Sequence, residues 1–283
     1  MSATYPTAAP SLRSRIGSDP EGGGYYAAPR RYRLHLALSC PDSLQIAVVH
    51  RLLRLDDTLP VTRLPAVPDA PDGGYLALRP LYEASAHHHP GPSLAPVLSD
   101  AWSGRIVSTH APDILRDLAR RFGDAGPVLH PCGAEADLER IGLLCERVHG
   151  AAQRAGSADP AERYAAVEDL LDVLAVLEGR LTSHAYITTG GLGLADIQLW
   201  ATLVQLDTVH RPHLDPETVR RIAAHTQLWA YASGLTERPE FGGQLDLDGI
   251  EQRRRAHRPD AAAAADGFMR LTCLLHHRPQ AAH

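Results

Sequence analysis

Lysine is missing from this chain: all 28 basic residues are arginine. Schiff-base catalysis through a lysine amine is therefore excluded. Aromatic residues make up only 5%, and the net charge is −5. With no basic stripe interleaved with aromatics, nucleic-acid binding is not expected. The longest apolar runs fall well short of a membrane span, so no membrane partner is expected either. Residues 1–30 contain no apolar core for export and read as a flexible arm. Cysteine is scarce. Cys40, Cys132, Cys145 and Cys273 share no metal or disulfide spacing, which points to reduced thiols, a cytoplasmic location and no built metal site. The run His87-His88-His89 lies in a Pro/Gly loop and is read as an adventitious metal contact.

What is present is ordinary for a folded chain. The 283 residues are 44% hydrophobic and 22% charged, enough to build one large domain or two. The Ala/Arg/Pro excess fits a GC-rich genome.

The stretch "RYRLHLALS" (31–39) puts Tyr32, Leu34, Leu36 and Leu38 on one face, a strand signal. From residue 41 to 55, Leu44, Val48, Leu52 and Leu55 fall at helical spacing, with Pro41 tolerated in the first turn. A Pro/Gly-rich segment follows, with room for a short strand at "LPVTRLP". Two short apolar runs between 94 and 108 form a hairpin pattern, and a helix follows with Thr109 as its expected N-cap. This order fits a thioredoxin-like α/β domain over 31–122. The remainder is helical. Residues 161–181 and 217–239 each read as one amphipathic helix, and 194–209 is apolar on all sides, as a helix central to a bundle should be. An all-α domain over 135–250 and an irregular tail over 251–283 complete the expected organisation.

Within this frame "SCPDSLQ" (39–45) sets a cysteine between a strand end and a helix start. Helix N-termini lower thiol pKa values, so Cys40 is the candidate nucleophile and the expected most reactive thiol of the four. Asp42 works against this by raising the thiol pKa. An inert cysteine is the competing reading.

The ordered segments "CPDSLQ" (40–45), "APVLSD" (95–100), "IVSTHA" (106–111) and "GLADIQLWATLVQLDTVH" (193–210) resemble motifs of the glutathione transferase superfamily. More narrowly, they are similar to the xi class, the glutathionyl-hydroquinone reductases. There a strand ends in Cys-Pro-Trp, a Val-Pro-Val-Leu-Trp-Asp precedes Ile-Val-Ser-Asn-Glu-Ser, and the helical half carries Thr-Glu-Ala-Asp and Phe-Asp-Pro-Val-Tyr. The likeness runs from about residue 25 to 257. It implies a glutathione transferase fold, a homodimer and a site in the cleft between domains. By the same resemblance Cys40 is the thiol and Pro96 the cis-proline, with the backbone of its neighbour Val97 pairing with an extended thiol ligand.

The departures fall on the functional positions. The Glu-Ser pair that holds the γ-glutamyl end of glutathione in the family is His110-Ala111 here, beside Thr109. The Trp after Cys-Pro is Asp42, which would repel glutathione carboxylates. A pocket tyrosine is His210, with His213 three residues on, and a second falls near Arg254. Tyrosine to histidine moves a titration from about pH 10 to about 6.5, into the range of acid/base work. The expected function is that of a diverged enzyme of secondary metabolism on a quinone-like or electrophilic aromatic substrate. Cys40 would be the thiol and His210 the acid/base. Two readings stay open on the co-reactant: a low-molecular-weight thiol other than glutathione, or none. Isomerisation, cyclisation or elimination follows naturally if there is none. The competing functions are an orthodox glutathionyl-hydroquinone reductase with a rebuilt site, and a non-catalytic binding or assembly protein.

Overall fold

The computed structural model describes residues 12–17, 24–123 and 126–257. Cys273 and the tail beyond His257 lie outside the described residues. The first domain is built on a four-stranded sheet of order β4-β3-β5-β6, comprising β3 (Tyr32–Leu36), β4 (Val61–Arg63), β5 (Val97–Asp100) and β6 (Arg105–Ser108). The β3–β4 pair is parallel, as it must be when helix α1 (Pro41–Leu52) connects them, and the other pairs are antiparallel. Tyr32, Leu34 and Leu36 are buried, as their alternation dictates; the strand stops at Leu36, before Leu38. Helices α1 and α3 (Ala111–Arg121) pack together, while α2 (Arg79–Ser85) packs on β6. This is the thioredoxin-like arrangement.

Part of the expected arm is fastened down. Strands β1 (Ile16–Gly17) and β2 (Tyr25–Tyr26) pair in parallel, and Ile16 is buried. Arg15 pairs with the buried Asp117, which also accepts a hydrogen bond from the Ile16 N–H at 2.8 Å. Flexibility therefore does not describe residues 12–17. Low apolar content hid this anchor, because it is made of charge pairs.

The second domain contains α4 (Glu135–Arg154), α5 (Pro160–Leu181) and α6 (Leu194–Gln205), followed by a π-helical turn (Leu206–His210). Asp159 caps α5, its side chain accepting from the Ala161 N–H at 3.0 Å. Buried Asp196 ties down the start of α6 by accepting from the N–H groups of Ile187 and Gly193. The single helix expected over 217–239 is two, α7 (Pro216–Ala223) and α8 (Thr226–Thr236), followed by the short α9 (Pro239–Gly242). The break lets the Trp229 indole N–H donate to the Ile222 carbonyl at 2.9 Å with its ring fully buried. Where an irregular tail was expected from residue 251, helix α10 (Leu247–His257) runs on to His257. One apolar core runs through both domains, joining α1 to α6, and a smaller one lies under α2 on the other face of the sheet.

Candidate functional site

Residues 39–42 form a ridge between two cavities. A smaller one of about 230 Å³ has Ser39 and Pro41 in its wall together with His149, His210, His213 and Arg254. A larger one of about 670 Å³ has Asp42, Pro96, Thr109 and His110 in its wall, with Arg13 of the N-terminal segment. Six of the eight site residues anticipated from the sequence therefore line one cavity or the other. Cys40 sits on the ridge itself, while Val97 is buried in the smaller core with no part in either wall. Its side chain is core; only its backbone could serve a ligand.

Cys40 is the N-cap of α1, followed by Pro41 in the first turn, and its carbonyl accepts from the Leu44 N–H at 2.9 Å. The helix terminus does not win. Burial pushes the thiol pKa up, the Asp42 carboxylate adds to this, and the Ser43 and Asp42 N–H groups and Arg253 only partly oppose it. Asp42 is itself raised by desolvation, against the pull of His110 and His149. Its side chain touches solvent, yet the surrounding protein strips away much of its hydration, so the upward direction stands. These causes run against the high reactivity expected of Cys40. The thiol is half-buried and held protonated, whereas Cys132 is exposed.

The Ala95–Pro96 bond is cis, as the motif implies. Thr109 does not cap α3. Its hydroxyl and N–H both reach the Leu12 carbonyl, and the N-cap is His110. His110 Nδ1 stands 3.1 Å from the buried carboxylate of Asp113, which Arg13 and Arg15 also approach. The Asp113 carboxylate is thus already paired with two guanidinium groups.

His210 ends the π turn, and its Nε2 lies 3.3 Å from Nδ1 of His149 on α4. Such a contact needs one ring nitrogen to donate its N–H and the other to accept it. His149 was not anticipated; it belongs to no motif, and only the fold brings α4 to the π turn. Arg254 is buried and holds Glu251 through two hydrogen bonds of 2.7 Å, which makes it a wall of the cavity rather than a free cation. Arg253, read from sequence as a solvated run, lines the cavity and donates to the buried Tyr75 hydroxyl at 3.1 Å. In the loop, His89 packs on Tyr82 and lines the larger cavity, while His87, His88 and Glu83 gather on the exposed surface with ligand atoms within 4.8 Å. Trp102 caps the hairpin turn, 63% exposed, its ring against the Arg31 guanidinium.

Comparison with known proteins agrees with this architecture. The glutathione S-transferase C-terminal domain family matches residues 149–232. Glutathionyl-hydroquinone reductase YqjG of Escherichia coli is 26% identical over 257 residues, covering 83% of this chain and 78% of its own. Glutathionyl-hydroquinone reductase PcpF of Sphingobium chlorophenolicum is 28% identical over 244 residues, covering 79% and 77%. The crystal structure of glutathione-S-transferase Xi from Phanerochaete chrysosporium superposes with a TM-score of 0.77 at 22% identity, over 95% of this chain and 94% of that one. A four-stranded thioredoxin-like sheet, a helical second domain and these relatives agree: the chain has the glutathione transferase fold and is similar to the xi class, the glutathionyl-hydroquinone reductases.

Proposed function

We propose that the protein is a glutathione transferase-like enzyme that moves protons on a quinone-like or electrophilic aromatic metabolite, in secondary metabolism. The observation that carries this is the His149–His210 pair at 3.3 Å in the wall of the smaller cavity, beside a thiol whose pKa is raised. One imidazole takes a proton from a carbon or hydroxyl of the substrate, and the conjugate acid returns it to another atom. That sequence serves isomerisation, cyclisation or elimination without any thiol. No cofactor is required in this reading. The enzyme works as a cytoplasmic homodimer, which a sedimentation mass of one chain, 30.6 kDa, would contradict.

The test is turnover of a quinone panel by two variants. A positioned acid/base contributes about 10²–10⁴-fold, so His210→Phe should lower kcat by about that factor, while Cys40→Ala costs little. Retained activity in His210→Phe with loss in Cys40→Ala would reverse the assignment. A second reading, transfer through Cys40 with a low-molecular-weight thiol other than glutathione, is favoured by the place of Cys40 between the two cavities, with Asp42 and Pro96 lining the larger one. It predicts that reversed outcome.

A further inference from the structure

The walls of the smaller cavity are chemically one-sided. His149, His210, His213, His257, Arg253 and Arg254 contribute to it, and no Asp or Glu is among its described lining residues. Ile250, Arg253, Arg254 and His257 belong to α10 at spacings of three, four and seven, so one face of the helix forms this wall. The arginines differ in what they face. Arg254 and Arg255 share Glu251, with contacts of 2.6 to 2.7 Å, and Arg211 holds Asp207 at 2.7 Å. Arg253, half-buried, donates to the neutral Tyr75 hydroxyl and lies near the Cys40 thiol, and no described carboxylate pairs with it. A partly desolvated guanidinium without a counter-charge is costly, and its planar fork matches a carboxylate in geometry and charge. Pro41, Val209 and, on the α10 wall itself, Ile250 supply the apolar part of the lining, a surface for a ring. Ser39 and Pro41 belong to the N-terminal end of α1, whose dipole also favours an anion; Asp42, which would oppose it, lines the other cavity.

We infer that the smaller cavity selects an aromatic acid, the ring lying against Pro41, Val209 and Ile250 and the carboxylate paired with Arg253. This rests on the proposed function for the location of the substrate, and it narrows the substrate from an aromatic electrophile to an anionic one. A carboxylate anchored on α10 leaves the ring within the same cavity as the imidazole pair.

Binding rather than turnover tests it, with 2-naphthoate and its neutral isostere 2-naphthamide titrated calorimetrically at low salt and neutral pH. The wild-type protein should prefer the naphthoate by about tenfold or more, the scale of a charge-assisted bidentate contact. Arg253→Met should abolish the preference while leaving naphthamide affinity unchanged, and Arg253→Lys should retain part of it. His210→Phe should keep the preference, so that loss of charge selection reports on Arg253 and loss of turnover on the imidazoles. Equal affinities in the wild type, no naphthoate binding, or a preference that survives Arg253→Met would each overturn the inference.

Discussion

A thiol at a helix start in a crowded ridge is pulled two ways, and at Cys40 the loss of solvent outweighs the helix. Desolvation is the larger cause of the raised pKa and Asp42 the next, so the sign of a substitution there is fixed. Asp42→Asn removes a charge that disfavours the thiolate. The Cys40 pKa should fall and its alkylation at neutral pH should speed up several-fold, a rate that scales with thiolate fraction. In the unmodified protein, mass mapping after brief alkylation should find exposed Cys132 labelled before Cys40. Unchanged labelling in Asp42→Asn would mean that geometry alone controls access. The Asp42 effect was readable from "CPD" because it acts through neighbours in sequence. The burial was not, since α6 and the other elements packed against α1 come from far along the chain. Likewise His210 was found as a substituted motif position, whereas its partner His149 comes from an unmarked turn of α4.

Between strands, β3 and β5 are joined by a buried side-chain contact as well as their backbone ladder. His35 Nε2 lies 3.0 Å from the Ser99 hydroxyl, which donates onward to the Arg33 carbonyl. The imidazole therefore serves as a neutral donor, and burial lowers its pKa to about 4. The unfolded chain, with a pKa near 6.5, binds the proton first as pH falls. Stability is thus fully present above about pH 6.5 and declines down to about pH 4, by about 3 kcal/mol at most. Urea unfolding across that window should show the slope, and His35→Gln should flatten it; an equal slope in the variant would place the acid sensitivity elsewhere. Most elements were legible from their periodicity, α5 to within a residue and the start of α6, whose α-helix ends at Gln205 and passes into the π turn. The errors share a cause. The 217–239 pattern continues through the break between Ala223 and Thr226 that the Trp229–Ile222 bond spans, and α10 carries too few apolar residues to advertise a helix whose contacts are to the cavity.

At the scale of the whole molecule, the two cavities exist because α1 serves both domains. Its first residues lie in both walls while its other end packs in the shared core. No described helix is long and apolar enough to cross a membrane. The fold could be read from ordered motifs, because each motif marks a backbone feature: the cis-proline, the Asp196 hydrogen bonds, the strand-to-helix turn at Cys40. The chemistry could not be read in the same way, because it depends on which side chains converge in space. The account holds that the scaffold has kept its cleft while giving up the glutathione anchors. The larger cavity presents Arg13 and His110, and Asp113 below them is held by Arg13 and Arg15; among its described lining residues Asp42, its pKa raised by desolvation, is the one carboxylate left to face a γ-glutamyl ammonium. Calorimetric titration with reduced glutathione tests this directly. The account predicts no saturable heat below millimolar concentrations, and a micromolar dissociation constant would contradict it and restore a glutathione-dependent enzyme.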